Sequence, residues 1–265
     1  MTALILFLIS ANSSYFLKLT PGVMSQGLAG SSVMIDEGLA VFHNPAHILD
    51  TKLNFTLSRW LYALNSLTMG ATYRDYGIGI SYLNYGSIQG YDENGVPTTY
   101  FTPYDVCLAL ARKLGPIGIV IKTFRESIGD YALYGLCGGL SAYVDFGKIA
   151  IGGKVDNLGK EFSRDASIPY VVAIGSRFSL PDNIDLFIET KAPDIEISSG
   201  LLYKYQIVKV LFGVKYLRSK NSRDQFSDLH LSGGLIIHVE KYDIGYALNY
   251  TEFSMAHQFS IQLTP

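Results

Sequence analysis

Apolar and polar positions alternate along this chain with a period of two, most strictly over residues 231–263. Between 241 and 251 one face carries Tyr242, Ile244, Tyr246, Leu248 and Tyr250, and the other carries Asp243, Gly245, Ala247 and Asn249. The preceding run sets Leu231, Leu235, Ile237 and Val239 against His230, Ser232, His238 and Glu240. The following run sets Phe259, Ile261 and Leu263 against Gln258, Ser260 and Gln262. A pleated strand sends successive side chains to opposite faces, so each set occupies one side of a sheet. One side is aliphatic and tyrosine-rich and the other is small and polar. A membrane barrel needs that division, with lipid outside and a wet or small-residue lumen inside. A soluble β-sandwich with a tyrosine-rich core shows the same alternation and is the alternative architecture.

Similar runs of about 9–12 residues, long enough to cross a bilayer as tilted strands, recur about fourteen times. They fall near 52–61, 65–74, 76–85, 104–113, 116–125, 133–145, 148–157, 170–179, 182–191, 195–204, 207–218, 229–239, 242–251 and 255–263. Links after even-numbered runs are tight, at Asp75, Gly115, Phe146-Gly147, Pro181, Gln206 and Lys241. Most links after odd-numbered runs read as longer and polar: 86–103, 127–132, 158–168 and 219–228. Short turns at one end and long loops at the other are the asymmetry of outer-membrane barrels. The expected fold is therefore all-β, a single closed antiparallel transmembrane β-barrel of about fourteen strands.

A barrel of that size leaves a hole that its own side chains cannot fill. Residues 19–49 precede the first strand and do not alternate. Irregular backbone at membrane depth is tolerated where it is buried in protein or lines a cavity, so this segment is expected to enter the lumen as a plug or hatch. Ahead of it, the apolar stretch 3–9 runs into Ser10-Ala11-Asn12-Ser13-Ser14, which reads as a secretory signal cleaved after Ser13. The expected organisation is a signal peptide over 1–13, a plug over 14–50 and a barrel over 51–265.

Composition supports the membrane reading. Charged residues make up 17% of the 265 residues, below the roughly 25% of soluble proteins, and nineteen tyrosines suit an interfacial girdle. The net charge of −2, with no basic run, excludes nucleic acid as an expected partner. No apolar run has the length of a spanning helix.

The plug segment carries a recognisable pattern. Gly22 is followed by Gly27-Leu28-Ala29-Gly30-Ser31, and then by Asp36-Glu37-Gly38-Leu39-Ala40-Val41-Phe42-His43-Asn44-Pro45-Ala46. This resembles the start of PorV/PorQ-type outer-membrane proteins, within the broader FadL-like barrel group. In that pattern a glycine-rich turn leads through an acidic pair to Asn-Pro-Ala-Gly. Gly27, Gly30, Asp36, Ala40, Asn44, Pro45 and Ala46 match it, while Ala29, Ser31 and His47 depart from it. The resemblance implies either passage of small hydrophobic molecules or a partnership with secretion-system proteins.

The residues themselves predict a structural role for this motif. Proline fixes its own φ and pushes Asn44 out of the helical region, leaving the asparagine amide to bond nearby backbone. Gly22, Gly27 and Gly30 read as close-approach or positive-φ positions. Gly27-x-x-Gly30 lacks the Lys and Ser/Thr of a phosphate loop.

Enzyme motifs such as Gly-x-Ser-x-Gly, His-Glu-x-x-His and Cys-x-x-Cys are absent from the sequence, so no enzyme activity and no cofactor are expected. His43 and His47 have the spacing of helical metal ligands, but Pro45 between them opposes a regular helix and a metal site. Asp185, Glu189, Lys191, Lys209 and Lys215 read as lumen charges that pair across strands. His230, His238 and Glu240 share one face and could form a polar patch at a pore mouth. Gly135, Gly138 and Gly139 are candidates for a bend in the wall. Cys107 and Cys137 fall on the fourth and sixth runs, and one intervening strand puts them about 9–10 Å apart, so both thiols should be free.

Three functions follow: a passive barrel for small hydrophobic molecules, a secretion or surface-attachment partner, and a soluble β-sandwich binding protein. Membrane lipid is the expected surrounding partner, and a small hydrophobic ligand or a secretion protein the specific one. The loops are short for a large docking surface, which favours the first.

Overall fold

A computed structural model describes residues 14–60, 64–92, 94–163, 168–218, 228–251 and 254–265. The expected signal peptide and most of the 219–228 loop lie outside these residues. Among the described residues fourteen strands close into one antiparallel barrel. They are β1 (Lys52–Trp60), β2 (Leu64–Tyr73), β3 (Tyr76–Asn84), β6 (Tyr104–Leu114), β7 (Ile117–Ile128), β8 (Tyr131–Asp145), β9 (Ile149–Glu161), β10 (Val171–Leu180), β11 (Ile184–Ala192), β12 (Ile195–Tyr205), β13 (Val208–Arg218), β14 (Asp228–Val239), β15 (Tyr242–Thr251) and β16 (Ser254–Leu263). Strands β4 (Ile88–Tyr91) and β5 (Pro97–Phe101) form a separate hairpin in the loop between β3 and β6.

Each wall strand pairs with its neighbours in the ring, and β1 closes the circle on β16 from Leu53 opposite Leu263 to Arg59 opposite His257. A two-sheet sandwich is thereby excluded. The alternation sets the two surfaces as expected. On β1 and β16, Asn54, Thr56, Ser58, Gln258, Ser260 and Gln262 are buried inward, while Leu53, Leu57, Phe259 and Ile261 lie on the outer face. Outer side chains such as Leu110 and Ile174 are 63% and 64% exposed, an apolar surface suited to lipid rather than water. The protein is thus an integral barrel of the bacterial outer-membrane type.

Tight turns do gather at one end, between β2 and β3, β6 and β7, β8 and β9, β10 and β11, β12 and β13, and β14 and β15. At the other end the long links are 85–103, 162–170 and 219–227. The polar loop expected over 127–132 is not a loop. Strands β7 and β8 extend to the pair Ile128–Tyr131, which keeps the alternation going and leaves Gly129-Asp130 as the turn. Extension of the wall satisfies backbone groups that a loop would have left to solvent.

Inside, the first described residues fill the lumen. A 3₁₀ turn at Tyr15–Lys18 is followed by α1 (Val23–Gly27), α2 (Ala40–His43) and a second 3₁₀ turn at Pro45–His47. Val23, Leu28, Val33, Ile35, Leu39, Val41 and Ala46 are fully buried. They pack on inward wall residues such as Phe187, Leu202, Leu211, Ile236, Ala109 and Val120. The barrel therefore has its hydrophobic core between plug and wall, and the wall thins to let the plug in. At Gly118 a Cβ atom would collide with the backbone nitrogen of Ala46 and the carbonyl carbon of Pro45. Replacing this residue with valine should undock the lower plug at a cost of about 1–3 kcal/mol. Limited proteolysis of folded, detergent-solubilised protein should cut within residues 19–49 faster in Gly118→Val than in the parent.

Candidate functional site

The candidate site is the lumen, and its floor is the plug. The stretch after α1 holds two consecutive left-handed residues, Ala29 at φ 57° and Gly30 at φ 81°, which turn the chain sharply. The turn bonds part of its own backbone, as from the Gly30 N–H to the Ser25 carbonyl at 2.8 Å, and the wall takes up groups that remain. Glu189 on β11 accepts from the backbone N–H groups of Ser32 and Val33, both at 2.7 Å, and from the Ser32 hydroxyl at 3.1 Å. Lys191 donates to the Gly30 carbonyl at 2.7 Å. Ser232 on β14 accepts from the Ala29 N–H at 2.9 Å and donates to the Gly27 carbonyl at 3.1 Å.

These contacts revise the reading of the lumen charges. Asp185 with Lys204 and Lys209 with Asp243 do pair across the wall, at 2.7 and 2.9 Å. Glu189 and Lys191 are 3.6 Å apart, but their shorter bonds go to the plug. Both side chains are turned to the plug backbone, where an ionised acceptor or donor makes charge-assisted bonds.

The Asn-Pro-Ala segment is the lower anchor. Asn44 is extended at φ −151° and fully buried. Its amide donates to the carbonyls of Val33 at 2.8 Å and Ala142 at 3.3 Å, and its oxygen accepts from the Ala46 N–H at 3.0 Å. Pro45 opens the 3₁₀ turn, and Ser141 on β8 is also within reach of the Ala46 N–H, at 3.1 Å. Gly22 sits at φ 104° with the Glu37 carboxylate against the face where a side chain would project. At Gly27 the same space is taken by Leu211. Asp36 pairs with Lys52 at the base of β1. Gly22, Gly27, Gly30, Asp36, Asn44, Pro45 and Ala46 thus lie at turns and wall contacts of the plug.

His43 donates from Nε2 to the Pro21 carbonyl at 2.6 Å, and His47 from Nδ1 to the Ile35 carbonyl at 3.2 Å. The His47 ring also stacks on Tyr143 at 4.1 Å. The two histidines serve different carbonyls, and no group of three metal-ligating side chains occurs among the described residues. Burial holds both neutral, lowering His43 to about 3 and His47 to about 4. Burial has the opposite effect on Glu37, raising it to about 7 against its bond from the Met24 N–H and the attraction of Lys52.

Toward the long loops the top of the plug packs into an apolar cluster. Phe16, Leu83, Cys107, Phe124, Cys137 and Ile168 form it, with Phe16 edge-on to Phe124 at 6.1 Å. Cys107 on β6 and Cys137 on β8 are buried free thiols separated by β7. Beside this cluster the wall bulges. Gly138 pairs with Leu158 and Leu140 with Val155, so Asp156 and Asn157 oppose the single residue Gly139. The bend sits in β9 rather than in the glycine-bearing strand β8, because the extra residue is Asn157, left-handed at φ 61°. Gly139 accommodates it, since a side chain there would strike Asp156.

Lys122 on β7 holds the bulge, donating to Asp156 at 2.7 Å and Asn157 at 3.0 Å. Asn157 in turn donates to the Leu17 carbonyl at 3.2 Å. Sequence reading missed Lys122, Asp156 and Asn157. The signal was the adjacent polar pair Asp156-Asn157, which breaks the alternation of β9. The polar patch expected from His230, His238 and Glu240 does not form. His230 and His238 share a face but lie eight residues apart on β14, about 26 Å at 3.3 Å per residue. His238 bonds Asp243 at 2.7 Å near the tight-turn end, and Glu240 occupies that turn.

No protein-family model matches this sequence, and no curated protein matches it. Solved structures do share its fold. The CymD monoaromatic hydrocarbon channel superposes with a TM-score of 0.55 at 13% identity, over 96% of this chain and 97% of that one. A Pseudomonas aeruginosa FadL homologue gives 0.57 at 11% identity, over 92% and 98%. The Ralstonia pickettii toluene transporter TbuX gives 0.53 at 11%, over 92% and 98%. At these identities the likeness is one of fold, that of FadL-like outer-membrane barrels.

Glu189→Gln keeps the shape of the clamp but removes its charge. It should weaken plug docking by about 1.5–3 kcal/mol, the range for a bond to a charged group, read as faster hydrogen exchange at the Ser32 and Val33 amides. Plug docking should also depend on pH. Between about 4.5 and 7 the docked Glu37 keeps a proton that the undocked one releases, so this group loosens docking as pH rises. Below 6.5 the undocked His43 and His47 each gain a proton that the docked rings refuse, so they loosen docking as pH falls. Two histidines outweigh one carboxyl, so protection should be greatest near pH 7 and fall on acidification. Glu37→Gln should steepen that fall between pH 7 and about 4.5.

Proposed function

We propose that this protein is a FadL-like barrel that binds small hydrophobic molecules at the outward end of its lumen and passes them across the outer membrane without energy input. The observation that carries this reading is the apolar cluster there, in which Phe124, Leu83 and Ile168 pack on Phe16 of the docked plug. The clefts bordering the plug at Leu17, Leu19 and Phe42 hold about 40 and 20 Å³, room for a water or two. Passage therefore requires the upper plug to shift. The bulge at Asp156–Asn157, tied to the Leu17 carbonyl, is where movement of plug and wall would be joined. Residues 1–13 are proposed as the export signal, and the Gly27–Ala46 motif as the element that seats the plug.

A second reading is favoured by the β4–β5 hairpin, which presents Tyr91, Val96 and Tyr100 at 63, 55 and 69% exposure beyond the barrel wall. Such a tip suits a protein partner and would place the barrel beside PorV/PorQ-type secretion accessories. Native mass spectrometry of the full chain in mild detergent separates the two. A conduit should retain toluene or a similar monoaromatic added at micromolar concentration, and Phe124→Asp should abolish that retention. An accessory should instead carry a polypeptide that is lost when residues 88–101 are replaced by a short turn. Retention that Phe124→Asp leaves unchanged would remove the apolar cluster from the mechanism.

A further inference from the structure

The outer wall carries a feature that the lumen does not explain. On the lipid-facing side of β2, β3, β6 and β7, at the tight-turn end, lies an apolar trough of about 580 Å³. Its floor is Ala71, a small outward residue paired with Leu53 on one side and Ile78 on the other. Larger outward neighbours, Tyr73, Leu110 and Ile121 among them, form the trough's sides. This volume is within the range of small-molecule sites.

Two guanidinium groups stand at the same end. Arg74 lies over the ring of Tyr73 at 5.2 Å and Arg112 over the ring of Tyr76 at 5.3 Å. Ring contact fixes each guanidinium while leaving its in-plane N–H donors available. Neither has an ion-pair partner among the described residues. The end is identified by the chain itself: the Thr264 N–H bonds the Lys241 carbonyl beside the β14–β15 turn, so the carboxyl terminus and the tight turns share it. In an outer-membrane barrel that end faces the periplasm.

We infer that this trough is a binding site for one phospholipid of the periplasmic leaflet, with an acyl chain over Ala71 and the phosphate between Arg74 and Arg112. An acyl chain needs an apolar channel that ends at the interface, and a phosphodiester needs paired, oriented donors at the depth where the channel ends. Both requirements are met in one place. A second copy of the chain fits less well, because an isologous contact through this face would set like guanidinium groups against one another.

The test is native mass spectrometry of the full chain, released from detergent micelles containing phosphatidylglycerol. The parent protein should hold one phospholipid at collision energies that strip the others. Arg74→Ala/Arg112→Ala should reduce that bound fraction about tenfold, as loss of a charge-assisted contact implies. Ala71→Phe should do the same by filling the trough with both arginines intact. Arg125→Ala, which alters an outward arginine toward the opposite end, should not. Heat-modifiable migration on gels confirms that each variant is folded. Equal retention in the parent and both site variants would overturn the inference, as would a dimer that Ala71→Phe dissociates. Loss in the double arginine variant alone, reproduced by competing inorganic phosphate, would also overturn it, because the acyl chain would then have no part.

Discussion

A segment of irregular backbone inside a barrel has to find a partner for every amide and carbonyl it brings, and the whole lumen is arranged around that need. Glu189 is the clearest case. Its two oxygens take two backbone N–H groups and one hydroxyl from Ser32 and Val33, just past the left-handed turn. Ser232, Lys191 and Asn44 serve neighbouring groups in the same way. The apolar side chains of the plug contribute burial, but burial alone would accept many placements. These polar bonds select one, because leaving any of the buried groups unmade costs more than a hydrogen bond normally contributes.

The wall answers the plug in kind. Where the plug backbone runs closest, the strands carry no side chain, as at Gly118. Where the plug presents leucine, valine or isoleucine, the wall presents Phe187, Leu202 and Leu211. Other inward positions keep short polar groups such as Thr56, Ser58 and Ser260. The lumen is thus no uniform core: apolar clusters form where plug and wall meet, with polar positions among them.

Much of this was legible in the sequence, and the reasons differ by element. Strands β15 and β16 could be read almost residue by residue, because lipid on one side and the lumen on the other impose a strict alternation. The irregular plug was visible as the stretch where alternation stops. The β4–β5 hairpin was not, since four- and five-residue strands outside the membrane are under no such constraint. The extension of β7 and β8 to Ile128 and Tyr131 was missed because the polar Gly129-Asp130 pair drew the boundary outward too early. Within the lumen, sequence identified Glu189 as inward-facing but not what it would hold. That depends on which wall residues a plug 157 positions away comes to rest against, a long-range fact that no local pattern carries.

The bulge in β9 has a mechanical consequence. Asn157 is held by Lys122 from the wall and itself holds Leu17 from the plug, so one side chain belongs to both bodies. A barrel whose plug rode free could let molecules leak past in numbers set by concentration alone. Here the lumen cannot loosen at its upper end without disturbing the wall beside it. Under the proposed function, a cargo entering from that side would meet a turnstile rather than a sieve. Flux through such a device would level off at high concentration, at a rate belonging to the protein and not to the molecule crossing it.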